Sequence, residues 1–266
     1  MKSYVIIGGG VASVSCIEGI RSVDKESKIY LICGENKPAY CRPLISYYLQ
    51  GITDFGKMKY RPNGFYSENG VELVFGKADK IDYDKKIVCV GERKLPFDKV
   101  LVATGSSPFV PPFTGLESVK NKFTFMTEDD AISIENVIDK DSQVLIVGAG
   151  LIGLKCAEGL NGRVKSITVC DLATRVLSSI LDDECAAVMQ KNMEDNGVSF
   201  MLGDSAESFS ENTAKMKSGK TVKFDVLILA VGVRANVSLL KDVGGEVNRG
   251  IIVSDTMQTS IENVYA

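Results

Sequence analysis

The chain has 266 residues, of which 45% are hydrophobic and 24% charged; these values describe a soluble globular protein, and the length suits about two domains. Its 31 basic and 34 acidic residues leave a net charge of −3, so no bulk field favours nucleic acid or an anionic membrane as partner. There is no histidine and no tryptophan, which excludes Ser-His-Asp triads, Cys-His pairs, histidine metal sites and imidazole acid–base catalysis.

No apolar run approaches the ~18–20 residues of a membrane-spanning helix. Met1-Lys2-Ser3-Tyr4-Val5 runs directly into a strand-like segment, leaving no room for a signal peptide, and a cytoplasmic location is expected. The seven cysteines are Cys16, Cys33, Cys41, Cys89, Cys156, Cys170 and Cys185. The closest two, Cys33 and Cys41, are 8 positions apart, so there is no C-x-x-C pair for zinc, iron–sulfur or thiol exchange, and no metal site is expected. An odd number of scattered thiols suits a reducing compartment, where most serve as small buried hydrophobes.

In chain order, Tyr4-Val5-Ile6-Ile7 reads as a strand, Gly8-Gly9-Gly10 as a turn, and the following proline-free dozen residues as a helix. A second strand follows over Lys28-Ile29-Tyr30-Leu31-Ile32-Cys33. Val71 to Phe75 and Ile87 to Val90 read as further strands, before one that ends near Ala103. Pro108, Pro111 and Pro112 mark a stiff crossing. The opening pattern then returns 140 residues later: strand Val144-Leu145-Ile146-Val147, turn Gly148-Ala149-Gly150, a helix, and strand Ser166-Ile167-Thr168-Val169-Cys170. Phe224 to Gly232 repeats the strand that ends near Ala103, and Val233-Arg234-Ala235-Asn236 marks a second crossing. Strand–turn–helix–strand, twice, is the βαβ unit of a parallel sheet.

The turns carry chemistry. In G-x-G-x-x-G the first glycine makes the tight turn and the second lets a pyrophosphate approach the backbone. The third lets helix and strand pack closely, and the helix N-terminus offers N–H groups to the phosphates. Gly148, Gly150 and Gly153 complete this pattern, and Asp171 stands 23 residues after Gly148, where an acid holds ribose hydroxyls. A carboxylate there favours NAD over NADP, a preference that Arg175 weakens slightly. The first copy has Gly8 and Gly10, Ser13 in third place, and Glu35 as its acid, 27 residues after Gly8. Two dinucleotides are therefore expected, one per copy.

With both fingerprints in view, the sequence resembles the FAD/NAD(P)-dependent pyridine nucleotide-disulfide oxidoreductase superfamily over nearly its whole length. Phe97-Asp98-Lys99-Val100-Leu101-Val102-Ala103-Thr104-Gly105-Ser106-Ser107-Pro108 resembles the family's strand ending in Ala-Thr-Gly-x-x-Pro, and Phe224-Asp225-Val226-Leu227-Ile228-Leu229-Ala230-Val231-Gly232 repeats it. Pro38-Ala39-Tyr40-Cys41-Arg42-Pro43-Leu44-Ile45-Ser46 resembles the branch of rubredoxin reductases, nitrite reductase large subunits and related NADH oxidoreductases.

The resemblance implies an α/β fold of two Rossmann-like dinucleotide-binding domains. A discontinuous FAD domain over 1–112 and 235–266 is interrupted by an NAD domain over 113–234. It implies FAD and NAD as cofactors and an FAD-dependent NAD(P)H oxidoreductase. A hydride from NADH would pass on as electrons to an acceptor such as rubredoxin, another small redox protein or a small molecule, with no nucleic acid or membrane partner. It also implies that Arg42 contacts the FAD pyrophosphate, that Ala78 passes near the adenine, and that Ala103, Thr104 and Gly105 line the flavin side.

Lys155 stands where many relatives have a glutamate near the nicotinamide. No C-x4-C pair exists, and Cys41 is displaced from the redox cysteine of single-thiol relatives, so electrons should leave without a protein thiol. Lys57, Lys59 and Arg61 form a compact basic run that could dock an acidic acceptor. The sequence stops at Tyr265-Ala266, directly before the expected Gly-Asp motif, and reads as a fragment or as a protein lacking that C-terminal part. Ser13 and the bulky Ile17 suggest a degraded FAD half, which keeps open a non-catalytic nucleotide-binding protein or a subunit of a larger redox assembly.

Overall fold

The computed structural model describes residues 2–266, and apolar parallel strands organise them. Ser3–Ile7 (β1) and Lys28–Cys33 (β2) pair in parallel, from Ser3 opposite Lys28 to Ile7 opposite Ile32. Their near-continuous apolar sequence is what a strand covered on both faces requires. Helix α1 (Val11–Val23) makes the crossover between them. Val71–Phe75 (β3) extends one side, with Lys99–Val102 (β7) and Val264–Tyr265 (β18) on the other. The order is β18-β7-β1-β2-β3, and every neighbouring pair is parallel.

The period-2 alternation of β1 divides the core. Val5 and Ile7 face a cluster that includes Val88 and Leu95, contributed by the antiparallel sheet of Lys80–Asp82 (β4), Ile87–Val90 (β5) and Arg93–Pro96 (β6). Ile6 faces the other way, against Val14 and Ile17 of α1 and the aromatic pair Phe65–Tyr66. This unit comprises the chain up to Cys41, Lys59–Ser107 and Arg234–Ala266.

The second unit, Arg42–Met58 and Pro108–Val233, repeats the plan. Gln143–Val147 (β10), Leu151–Leu160 (α5) and Ser166–Asp171 (β11) form the βαβ unit, and Asp183–Asp195 (α6) leads to Val198–Leu202 (β12). With Val226–Leu229 (β16) and Lys122–Phe123 (β9) the order is β12-β11-β10-β16-β9, again all parallel. Ala206–Ser210 (β13), Thr213–Met216 (β14) and Thr221–Lys223 (β15) supply its antiparallel layer. The one topological difference is the edge strand. It comes from the end of the chain in the first unit (β18) and from before β10 in the second (β9).

Where the chain passes between the units, Ser106–Pro108 (β8) and Val233–Ala235 (β17) pair as a two-stranded ribbon. The passages lie between Ser107 and Pro108 and between Val233 and Arg234, rather than after residues 112 and 234 as expected. The proline-rich stretch thus follows the first passage.

The segment 42–58, expected with the first unit, clusters with the second for a steric reason. Helix α2 (Ile45–Leu49) lies on α5, where a Cβ at Gly159 would stand 2.9 Å from the Ser46 carbonyl oxygen and 3.2 Å from the Leu49 Cβ. The absent side chain makes room for that contact. Arg163 Nη1 donates to the Leu49 carbonyl at 2.5 Å and Nη2 to Glu135 Oε1 at 3.1 Å, and the Tyr48 hydroxyl also donates to the Glu135 carboxylate.

Candidate dinucleotide sites

The glycine loops after β1 and β10 lie at the carboxyl edges of their parallel sheets, where α/β folds bind ligands. Gly8 has φ +119°, and a Cβ there would stand 2.1 Å from the Ala103 carbonyl oxygen; Gly148 also has φ +119°, with the Ala230 oxygen at 2.3 Å. Only glycine serves at either position. Gly10 and Gly150 cap their helices in extended conformation, and a Cβ at either would meet nothing within 4 Å. That open space lies beside the first N–H groups of α1 and α5.

These two helices also share an unusual N-terminus. Neither has a side-chain cap or an acid in its first turn. By contrast, Glu128–Glu135 (α4) carries a Thr127–Asp130 capping box and three acids, and α6 is capped by Asp182 with two acids following. The uncapped donors and partial positive charge of α1 and α5 match what phosphates require. The glycine cradles therefore suit a dinucleotide pyrophosphate in both units.

The third position of the motif differs instructively. A Cβ at Gly153 would stand 2.0 Å from the Gly148 carbonyl oxygen, so α5 packs as closely as backbone allows. In the first unit Ser13 is fully buried and its hydroxyl donates to the Gly8 carbonyl. Further along α1, Ile17 is fully buried in one cluster with Ile6, Ile29 and Leu31. The matching residue of α5 is the smaller Ala157, also fully buried. Both residues are thus accommodated in the packed first unit, Ser13 by its bond to Gly8 and Ile17 by the apolar cluster.

The acids are placed differently. Asp171 ends β11; its Oδ2 accepts from the Ala149 N–H at 2.7 Å and its Oδ1 from the Ala173 N–H at 2.8 Å. The strand registers, Ile7 opposite Ile32 and Val147 opposite Cys170, make Cys33 the counterpart of Asp171. Glu35 stands two residues further on, with Oε2 accepting from the Tyr40 hydroxyl at 2.7 Å. Ala78 follows β3 and is half-buried against the core; two residues earlier, Gly76 N–H donates to the Cys33 carbonyl at 3.0 Å.

Ala103, Thr104 and Gly105 follow β7, and Ala103 N–H donates to the Ile7 carbonyl at 2.9 Å. Ala230 N–H makes the same bond to Val147 at 2.8 Å, so Gly232 (φ +124°) is the counterpart of Gly105 (φ +62°).

Asn236, which the sequence marked only as a crossing, ties the first of these loops together. Its Nδ2 donates to the Thr104 carbonyl at 2.9 Å and its N–H to the Gly105 carbonyl at 2.9 Å. Its carbonyl accepts from Thr104 Oγ1 and its Oδ1 from Ser107 Oγ, both at 2.7 Å. Thr104, Gly105 and Asn236 line a cavity of about 200 Å³ with Val102, Ile251, Val253 and Ala266. No local sequence signal gives this away, because the partners are 132 residues apart.

The structure gathers Gly8, Gly10, Ser13, Glu35, Ala78, Ala103, Thr104 and Gly105 in the first unit and Gly148, Gly150, Gly153, Asp171 and Gly232 in the second. Arg42 falls with the second unit, where its Nη1 donates to the Met126 carbonyl at 3.1 Å. Lys155 pairs with Glu158 and lies 4.7 Å from the Tyr47 ring centroid. The basic run is largely neutralised within its own unit or segment: Arg61 pairs with Glu18 at 2.9 Å and Lys57 with Asp54 at 3.1 Å. Burial pushes the Cys33 thiol up to about 11, with Glu35 adding to the shift, and pushes Cys170 up to about 12. Cys16 and Cys156 are raised by burial as well. Among the described residues, no helix is long and apolar enough to cross a membrane.

The family profile described as pyridine nucleotide-disulphide oxidoreductase matches residues 2–266. The chain is 33% identical to the assimilatory nitrate reductase electron transfer subunit of Bacillus subtilis, covering 100% of this chain and 35% of that protein. It is also 33% identical to an NADH oxidase of Methanocaldococcus jannaschii, covering 98% of this chain and 61% of the relative. The crystal structure of a covalent putidaredoxin reductase–putidaredoxin complex superposes with a TM-score of 0.91 at 25% identity, over 99% of this chain and 66% of that one. The chain thus spans about a third to two-thirds of the length of these proteins.

Proposed function

Because the chain belongs to the pyridine nucleotide-disulphide oxidoreductase family, whose cofactors are FAD and NAD(H), we propose that it takes a hydride from NADH and passes electrons to a small redox protein. The observation that carries this reading is the pair of glycine cradles, each opening on a helix N-terminus without cap or acid. In this reading the first unit holds FAD and the second NADH.

Gly8, Gly10 and the first N–H groups of α1 hold the FAD pyrophosphate, and Ser13 fixes the turn through the Gly8 carbonyl. Glu35 and the backbone at Ala78 serve the adenosine half, and Ala103, Thr104 and Gly105 line the flavin side, held by Asn236. Gly148, Gly150 and Gly153 seat the NADH pyrophosphate, Asp171 takes the ribose hydroxyls, and Gly232 ends the strand beside them. Bound FAD supplies acceptance of a hydride and release of single electrons.

No side-chain base is required for that chemistry, which accords with a chain that has no histidine. Burial raises the thiols of Cys33 and Cys170, so neither forms a thiolate readily. One-electron protein acceptors are the favoured partners because a similar reductase is named for one, the putidaredoxin reductase of the covalent complex with putidaredoxin. A second reading, a module of a larger redox assembly, is favoured by the relative named as an electron transfer subunit, of which the chain spans 35%.

The test is anaerobic NADH oxidation with rubredoxin or a plant-type ferredoxin as acceptor. Acceptor reduction in proportion to NADH consumed supports the proposal. A chain that reduces neither protein anaerobically, yet oxidises NADH once air is admitted, refutes the protein-acceptor part.

A further inference from the structure

The first unit holds a further cavity, of about 380 Å³, against its edge strand β3. None of the residues assigned above to either dinucleotide lines it. Val71 and Leu73 do, and strand alternation puts both on the face that packs with Val14 and Ile17 of α1. Glu72, between them, points to the opposite face, where Lys28 at 3.1 Å and Arg93 at 2.5 Å take up its carboxylate. Pro38 and Pro62 add rigid apolar surface.

No carboxylate lines this cavity, whereas two cations do, Lys59 and Arg61. Arg61 is committed to Glu18 at 2.9 Å. Lys59 has no acid partner among the described residues, and its Nζ donates to the neutral Asn63 Oδ1 at 2.8 Å. Tyr66, 7% exposed, lines the same cavity. Its hydroxyl oxygen accepts from the Ala39 N–H at 3.2 Å, while its own proton has no acceptor among the described residues. Burial pushes the pKa of this hydroxyl up, so it stays a donor at neutral pH. A buried donor and a cation without a counter-ion both favour the oxygens of an anion.

The apolar lining narrows the class of anion. A carboxylate brings two oxygens, one for the ammonium and one for the hydroxyl. A phosphate dianion would press further oxygens against Val71 and Leu73, where nothing donates. A cavity of about 150 Å³ already admits benzene, so this one takes a ring with a short acid side chain. We propose that it binds a small aromatic carboxylate, with the acid group served by Lys59 Nζ and the Tyr66 hydroxyl and the ring over Val71 and Leu73.

The probes are phenylacetate, its neutral amide phenylacetamide, and acetate, each titrated into the full chain and followed by backbone amide NMR shifts. Phenylacetate is expected to bind about tenfold more tightly than the amide, which lacks the charge, and than acetate, which lacks the ring. Its shifts should centre on Ala39 and Ser67, both at the cavity. Lys59→Gln should weaken phenylacetate about tenfold and leave phenylacetamide within about twofold, and Tyr66→Phe should weaken phenylacetate about fivefold. Lys57→Gln removes the same charge two positions away, from a lysine that does not line the cavity, and should change neither ligand. Absence of saturable phenylacetate binding overturns the proposal, as do equal affinities for the three probes or equal losses in Lys57→Gln and Lys59→Gln. A raised KM for rubredoxin in Lys59→Gln, with phenylacetate binding unaltered, would assign the lysine to acceptor docking and overturn it as well.

Discussion

Replacing Gly153 by alanine probes the closest helix–strand contact in the second unit. The new Cβ would stand 2.0 Å from the Gly148 carbonyl oxygen and 3.4 Å from Ile146 Cγ2. Carbon and carbonyl oxygen settle near about 3.3 Å, so the start of α5 must retreat by about 1.3 Å or the turn must deform. Overpacking of this kind costs about 1–3 kcal/mol. The displaced atoms are the N–H groups that would meet the NADH pyrophosphate, so the same strain is expected in binding, at about tenfold per 1.4 kcal/mol. Titration with NADH should show an affinity loss of about 5- to 140-fold. A thermal melt should show a lower Tm, and FAD content should be unchanged because Gly153 lies in the other unit. Serine at this position should recover about 1 kcal/mol relative to alanine by donating to the Gly148 carbonyl, as Ser13 does to Gly8. Wild-type affinity and Tm in Gly153→Ala would refute the reasoning.

Asn236→Ala removes the bond to the Thr104 carbonyl and the acceptor of Ser107, together worth about 1–3 kcal/mol; FAD should be lost on desalting, read from the flavin-to-protein absorbance ratio, while NADH affinity holds. Asp204, 8% exposed, has its carboxyl held below the usual range, chiefly by the Ser218 hydroxyl at 2.5 Å. A folded-state pKa lowered in this way stabilises above the unfolded value and is lost as pH falls through the folded one. Asp204→Asn should therefore be destabilised in urea near neutral pH, and its difference from wild type should shrink on acidification; a constant difference would contradict this. Cys41→Ser should keep bound flavin and the NADH oxidation rate within twofold, and loss of activity with flavin retained would restore a thiol relay.

The elements legible in the sequence were those with a strong local signal. The apolar runs of β1, β2, β10 and β11 and the glycine turns behind them declare two βαβ units, and Asp171 follows from its distance along the chain. The antiparallel layer of the second unit was not legible. Thr213–Met216 and Thr221–Lys223 are short and half polar, so no apolar period rises above the background. The side taken by 42–58 was also hidden, because it depends on the bare backbone of Gly159 meeting Ser46 and Leu49 across more than 100 residues.

Ser13 and Ile17 were each legible as departures from the motif, but what the fold makes of each required its contacts. The serine hydroxyl secures the turn through the Gly8 carbonyl, and the isoleucine is buried among Ile6, Ile29 and Leu31. Asn236 was invisible for the opposite reason, since all its partners come from a strand end far earlier in the chain. The basic run at Lys57, Lys59 and Arg61 was visible in the sequence, but the acids that neutralise two of its members, Asp54 and Glu18, could be paired with them only in the fold.

The most direct measurement is the visible spectrum of the purified chain after incubation with FAD, recorded before and after anaerobic addition of NADH. Flavin bands that survive desalting and bleach on NADH addition are expected. A chain that retains no FAD, or that retains FAD whose bands NADH leaves unchanged, would contradict the assignment of these two cradles to a flavin and its hydride donor.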